Sequence, residues 1–159
     1  MRLIECSPEF EERIADYSLQ DTTYTGAPKD AITVSKKNGK YHSILCVTEG
    51  NEIPTFFVLD SGDDKFRYTA DSRSLLLRSF STDDRFVRKG YALEALRLLP
   101  AYISARFPET DQVVLGVNER NSAAQQLYEK AQFIRQNRVY QGRLGRQLIY
   151  CRYIITSER

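Results

Sequence analysis

The sequence predicts an α+β domain with a mixed, mostly antiparallel sheet and helices packed against it. Two hairpin patterns, in which β-type runs flank a short polar turn, predict antiparallel strand pairs near the middle and at the end of the chain. Between them, two β-type runs are each followed by a helical pattern. No repeat, linker or low-complexity tract interrupts the 159 residues, so one domain over residues 1–159 is expected.

Two helices are predicted before the first hairpin. Ser7 is suited to cap a first helix that begins at Pro8, because proline is favoured at the first helical position. Apolar residues then recur at helical spacing at Phe10, Ile14 and Tyr17. Gly26 and Pro28 interrupt the first helix, and the sequence predicts a short second helix from about Lys29. Its β-branched residues make the helical pattern less distinct.

The next segments have β-type patterns. Residues 41–48 and 54–60 flank a polar turn and predict an antiparallel hairpin. A polar loop follows at 61–65. Residues 74–81 form the next predicted strand, and its run Leu75–Leu77 indicates a central position with both faces covered.

A charged loop then leads into a helix predicted over residues 91–106, which Pro100 should kink. The loop ends in Gly90 after Arg88 and Lys89. Free N–H groups and the positive end of the dipole make a helix N-terminus suitable for a phosphate. An ordinary surface loop has the same composition, so this pattern alone leaves both interpretations open.

The remaining elements are a strand over 112–117, a helix over 122–131 and two strands over 135–141 and 147–155. Ser122 and Gln125 have the spacing of a capping box at the start of the helix. Tyr128 lies on the inner stripe of this helix, where a tyrosine is usually a core residue. Because two consecutive strand–helix units bring their loops to one end of a sheet, Tyr128 and the charged loop are expected to face one crevice.

Composition excludes several other functions. The net charge is +2, with 23 basic and 21 acidic residues, so the chain lacks the excess of positive charge expected for nucleic-acid binding. No apolar stretch is long enough to span a membrane. The single histidine, His42, and three widely spaced cysteines argue against a metal site and a disulfide framework, and we expect a cytoplasmic protein without a metal.

From residue 75 to 133 the chain resembles the GNAT superfamily of N-acetyltransferases. The residues that carry the resemblance are Arg78-Ser79-Phe80-Ser81, Val87-Arg88-Lys89-Gly90-Tyr91-Ala92, Val117-Asn118, Asn121, Ala124, Leu127, Tyr128 and Phe133. The outer strands also follow the family order. The resemblance implies a sheet whose central strand pair is splayed apart to admit a thioester. Val87 departs from the family's glutamine or arginine, and Arg88 and Gln132 stand where glycine is common.

The resemblance implies a role for each matching position. The backbone of Phe80, Ser81 and Thr82 would bind the pantetheine arm of acetyl-coenzyme A, and Asn121, together with the matching Asn118, would support it from the other wall. N–H groups along the loop would hold the pyrophosphate, at Val87, Arg88, Lys89, Gly90, Tyr91 and Ala92. The Tyr128 hydroxyl would protonate the departing thiolate. No base is predicted, because the central strand has no acid; Glu119 and a water relay stay open.

The predicted function is transfer of an acetyl group from acetyl-CoA to a primary amine of an acceptor that the sequence does not identify. A polyamine, an amino acid, an antibiotic and a protein N-terminus all stay open as the acceptor. Acidic residues, among them Glu49, Glu52, Asp63 and Asp64, are compatible with a cationic acceptor. One alternative is an acyl-CoA-binding sensor on the same fold without turnover, and another is an unrelated α+β interaction domain. Both a monomer and a homodimer are compatible with the sequence.

Overall fold

The computed structural model describes residues 1–154, which form seven strands and four α-helices. The strands are β1 (Arg2–Glu5), β2 (Tyr41–Val47), β3 (Thr55–Asp60), β4 (Ser74–Thr82), β5 (Gln112–Asn118), β6 (Ile134–Gly142) and β7 (Gly145–Tyr153). The helices are α1 (Pro8–Ile14), α2 (Pro28–Lys37), α3 (Tyr91–Arg106) and α4 (Ser122–Lys130). No helix in this part of the chain has the length and apolar character needed to cross a membrane.

All seven strands belong to one sheet in the order β1-β2-β3-β4-β5-β7-β6. Neighbouring strands are antiparallel except for β4 and β5, which run parallel. The predicted α+β class, the two hairpins and the central position of β4 are therefore confirmed. Parallel pairing follows from the crossover through α3, which returns the chain to the same end of the sheet.

The central parallel pair is hydrogen-bonded over only part of its length. β4 and β5 pair at Ser74 with Gln112, at Leu75 with Val113 and at Leu76 with Val114. Beyond Leu76 the register ends, although β4 continues to Thr82 and β5 to Asn118. The two strands thus diverge toward their carboxyl ends, as the family resemblance implied.

Alternating side chains divide the core between the two faces of the sheet. Phe57 and Leu59 of β3 pack in one cluster with residues of α3 and α4, such as Leu99. Phe56 and Val58 point to the other face, where they pack with residues of α1 and α2. A smaller cluster of Tyr68, Leu76, Val114 and Ile149 also covers the central strands.

Several local features differ from the sequence prediction. β1 was not predicted, because its four residues lie at the sheet edge and none is fully buried. The polar loop after β3 contains a 3-10 turn over Asp63–Arg67. The side chain that caps α4 is Asn121, which accepts a hydrogen bond from the Ala124 N–H, so the capping box at Ser122 is wrong. β7 ends at Tyr153, and the predicted strand end at Ile155 lies outside the described residues.

Candidate active site

The divergence of β4 and β5 opens a cleft of about 310 Å³ through the middle of the sheet. We call it the central cleft. The walls come from the end of β4, the end of β5, α4 and the β6–β7 turn. Seven residues predicted from the sequence line it: Phe80, Ser81, Thr82, Ala92, Asn118, Asn121 and Tyr128. The structure therefore brings together residues from four separate parts of the chain.

A β-bulge shapes the β4 wall of the cleft. Phe56 pairs with Ser81 and Val58 with Arg78, so Phe57 faces two residues of β4 instead of one. The extra residue is Ser79, which adopts a left-handed conformation with φ of 56°. A bulge increases the local twist of a strand, and it turns Phe80 onto Phe57, with ring centroids 5.7 Å apart. Nothing in the sequence indicated this bulge, since serine is not a usual left-handed residue.

Tyr128 of α4 is one of the residues that line the central cleft. Its side chain is 8% exposed and its ring contacts Phe80, Phe133 and Tyr150. Within residues 1–154 its hydroxyl has no hydrogen-bond partner, although it borders the cleft. Burial raises the pKa of this phenol well above its ordinary value. Tyr128 therefore remains a neutral O–H donor at physiological pH.

The charged loop borders a second recess of about 370 Å³, between α3 and α4. Gly90 has a positive φ of 83° and serves as N-cap of α3 without a side chain. The first-turn N–H groups of α3 thus remain available, as they do at helix starts generally. Val87, Arg88, Gly90, Tyr91 and Ala92 line this recess. Lys89 is not among its lining residues, and its Nζ lies 5.7 Å from the centroid of the Phe86 ring.

The two asparagines of the predicted site also have local structural contacts. Asn118 donates from Nδ2 to the Leu144 carbonyl at 3.0 Å and accepts from the Arg120 N–H at 2.9 Å. Asn121 uses Oδ1 to cap α4. Within the described chain the Nδ2 group of Asn121 has no partner, so it remains available on the cleft wall.

Two of the three departures from the family pattern occupy backbone conformations that favour glycine. Arg88 has φ of 63° and Gln132 has φ of 70°. Side chains rarely adopt this region because Cβ approaches the following carbonyl, which explains why glycine is common at both places. Arg88 and Gln132 therefore keep the positive φ at these two positions although neither is glycine. Val87, the third departure, is 45% exposed.

Several residues around the cleft were not predicted. Arg78 and Gly116 line it, and so do Tyr24, Thr25 and Gln147. Glu119, the base considered from sequence, does not line it and lies 3.4 Å from Arg146 in an ion pair. Glu119 was considered only because it follows β5 in the sequence. No local sequence pattern marks the five residues that do line the cleft.

A sequence relative now identifies the family. No family model matches the chain, but the chain is 31% identical over 144 residues to an uncharacterized N-acetyltransferase, YbbJ, of Bacillus subtilis strain 168. The match covers 89% of this chain and 90% of the relative. The chain belongs to the GNAT family of N-acetyltransferases. The sequence prediction of an acetyl-CoA-dependent N-acetyltransferase is confirmed.

Solved structures show that this GNAT chain has the fold of its family. An aminoglycoside acetyltransferase AAC(6')-Ib in complex with coenzyme A and kanamycin superposes with a TM-score of 0.75 at 14% identity, covering 96% of this chain and 94% of that one. The ribosomal-protein-S18-alanine N-acetyltransferase of Escherichia coli gives a TM-score of 0.66 at 16% identity, with coverage of 98% and 94%. Among the described residues of the GNAT chain no group of His, Cys, Asp or Glu side chains is arranged to hold a metal ion.

Proposed function

We propose that this GNAT domain transfers the acetyl group of acetyl-CoA directly to a primary amine inside the central cleft. The observation that carries the proposal is the Tyr128 hydroxyl, which has no hydrogen-bond partner within residues 1–154 and borders the cleft where β4 and β5 separate. A hydroxyl so placed is a ready proton donor for a group held between the strands.

The pantetheine arm fits along the open edge of β4. β4 pairs with β3 at Phe56–Ser81 and Thr55–Thr82, whereas its other edge has lost β5 after Leu76. Backbone groups on that edge are suited to bind an extended amide-containing chain as an added strand would. The predicted contacts at Phe80, Ser81 and Thr82, with Asn118 and Asn121 opposite, rest on this geometry.

The pyrophosphate fits at the start of α3. Gly90 carries no Cβ to block the approach, and among the described residues other than its chain neighbours no heavy atom lies within 4 Å of the position that a Cβ would take. N–H groups from Val87 to Ala92 and the helix dipole favour an anion there. The Arg88 side chain adds positive charge to the recess, while the Lys89 side chain, which does not line the recess, adds charge near it.

The reaction needs a neutral amine. The amine nitrogen attacks the thioester carbonyl, the carbon–sulfur bond breaks, and the thiolate takes a proton from Tyr128. A backbone N–H near Ser81 stabilises the oxyanion that forms during attack. None of the described residues that line the central cleft is an acid or a histidine. We therefore assign the removal of the amine proton to water, through which a proton returns to the Tyr128 phenolate.

The test measures the release of free thiol from acetyl-CoA in the presence of a panel of amines, and compares Tyr128→Phe with the unmodified protein. We expect kcat to fall by roughly 10²–10⁴-fold while binding of coenzyme A is retained, since general acid catalysis has about that value. Tyr102→Phe is the matched control, because the Tyr102 hydroxyl is also buried without a partner among the described residues but does not line the cleft. An unchanged kcat for Tyr128→Phe excludes the acid role. Binding of acetyl-CoA with no amine-dependent release in the unmodified protein would favour the sensor.

We also propose a cytoplasmic location. Cys6, Cys46 and Cys151 are all free thiols, and two of them are buried. Unpaired cysteines are typical of reducing compartments.

A further inference from the structure

The central cleft continues into a recess on the face of the sheet opposite α3 and α4. This recess has a volume of about 260 Å³, and we call it the acceptor recess. It shares Arg78, Ser79 and Gly116 with the central cleft. If the pantetheine arm enters from the α3 side, as proposed above, the amine has to approach from here. The volume of this recess is slightly below the roughly 300–1,000 Å³ of most small-molecule sites, which indicates a small acceptor.

The ionisable side chains around this approach are arginines and tyrosines. They line the acceptor recess, the central cleft and a groove beside the β6–β7 turn, and they are Tyr24, Arg67, Tyr68, Arg78, Tyr128, Tyr140 and Arg143. Among the described residues, no aspartate, glutamate, lysine or histidine lines any of the three spaces. A polycationic acceptor would meet no carboxylate there.

Arg78 is held in place by groups behind the wall. Its Nη1 donates to Asp60 at 3.0 Å and to Asp64 at 2.8 Å, and its guanidinium lies 5.2 Å from the centroid of the Tyr41 ring. Within residues 1–154, Nε and Nη2 have no hydrogen-bond partner. The side chain is 29% exposed, so these two nitrogens form a pre-oriented fork beside the cleft. Such a fork matches the two oxygens of a carboxylate.

The side chains around the acceptor recess and the adjoining groove carry a net positive charge. Asp60 and Asp64 bind Arg78, and Asp64 also lies 3.3 Å from Arg67. Arg143 has no ion pair within the described chain. Arg67, Arg78 and Arg143 thus outnumber the two nearby carboxylates. The arginines line the recess or the groove, whereas Asp60 and Asp64 do not.

We propose that the acceptor is a small amine that also carries a carboxylate, such as a free amino acid, and that Arg78 and Arg67 bind that carboxylate. This inference rests on the proposed function and adds the class of acceptor. The acidic residues that made a cationic acceptor compatible with the sequence do not line the approach, and Asp64 is committed to arginines.

The first test compares each amine with its uncharged analogue in the unmodified protein. The twenty amino acids and 4-aminobutyrate are paired with their carboxamides, and phosphoethanolamine, spermidine and kanamycin complete the panel. We expect at least one carboxylate to exceed its carboxamide about tenfold or more in kcat/KM, and the preference to shrink as salt increases. Equal kcat/KM for both members of every pair, or a preference for spermidine or kanamycin, would overturn the proposal. A preference for phosphoethanolamine would also overturn it, because the arginines would then bind a phosphate and not a carboxylate. If no amine at all stimulates thiol release, the proposed function itself fails.

The second test uses variants. Arg67→Gln removes a half-exposed guanidinium, and Arg78→Lys keeps the charge near Asp60 but removes the fork. We expect each to raise KM for the preferred carboxylate at least fivefold and to raise KM for its carboxamide and for acetyl-CoA by much less. Arg97→Gln, an equal change of charge at an exposed position of α3, is the control. If Arg78→Lys folds poorly, Arg67→Gln alone still tests whether an arginine binds the carboxylate. An unchanged KM in Arg67→Gln and in any folded Arg78→Lys would refute the assignment.

Discussion

The hydroxyl of Tyr17 lies 2.8 Å from Oγ of Ser81, and this hydrogen bond joins residues 64 positions apart. Tyr17 follows α1, whereas Ser81 belongs to the cleft wall. A second link lies beside it, where Ser18 donates to Asp84 at 3.0 Å and accepts from the Asp84 N–H at 2.8 Å. The end of α1 is thereby tied to the strand segment that we propose for the pantetheine arm.

Removal of the Tyr17 hydroxyl should loosen this segment. We expect Tyr17→Phe to lower the free energy of unfolding by about 1 kcal/mol, the usual net value of one hydrogen bond, and to raise KM for acetyl-CoA a few-fold with little change in kcat. Urea unfolding and steady-state kinetics measure both. A double-mutant cycle with Ser81→Ala isolates the pair, and additive effects of the two changes would show that the bond has no role.

Gly116 should not tolerate a side chain. A Cβ on this residue of β5 would overlap Oε1 of Gln147 and Cε1 of Tyr68, which are themselves joined by a 2.7 Å hydrogen bond from Tyr68. We expect Gly116→Ala to destabilise the fold by about 1–3 kcal/mol, the common range for overpacking. Gly26→Ala is the control, since no heavy atom of the described chain, its two chain neighbours apart, lies within 4 Å of its Cβ position. Equal stability of the two variants would contradict the packing argument.

Ionisation of the Tyr128 phenol should not reduce the reaction rate in the neutral to alkaline range. Burial raises the pKa of Tyr128 above its ordinary value of 10.0, so the acid form persists beyond that pH. The acceptor amine meanwhile loses its proton as pH rises. We expect kcat/KM to increase from pH 6 to 9 without a descending limb. A fall in that range that disappears in Tyr128→Phe would show that the phenol ionises there.

Asp83 should make the loop before α3 sensitive to acid. Its side chain is fully buried and accepts hydrogen bonds from the N–H, Nε and Nη2 of Arg85. Burial by itself raises the pKa of Asp83, but the bonds from Arg85 outweigh it and hold the pKa below the ordinary 3.8. A lowered pKa means that this stabilisation is complete above about pH 4 and is lost as pH falls through the lower value of the folded state.

Thermal unfolding between pH 5 and 2.5 checks this expectation. Asp83→Asn should have a lower Tm than the unmodified protein at pH 5, and the difference should narrow below pH 4. Asp21→Asn is a suitable control, because Asp21 also has a lowered pKa, from hydrogen bonds with Thr23, but is fully exposed. A constant difference in Tm across the range would exclude Asp83 as the titrating group.

Local patterns were sufficient to predict most elements. α3 begins and ends where the apolar period predicts, and Gly90 precedes it with the positive φ that glycine favours. Tyr128 falls on the buried stripe of α4 as its spacing indicated. These features depend on neighbours along the chain, so the sequence reports them directly. β1 was missed for the same reason, since an edge strand of four residues has no buried alternation.

The amino-acid sequence by itself determined the order of the elements after β1, the family and seven of the residues that line the cleft. The tertiary structure decided where β4 and β5 separate, that Ser79 forms a bulge, and that Tyr17 meets Ser81 and Arg78 meets Asp60 and Asp64. Hydrophobic periodicity records which side of an element is buried, but not which distant residue packs against it. Such partners become known only when the strands are placed in register in one sheet.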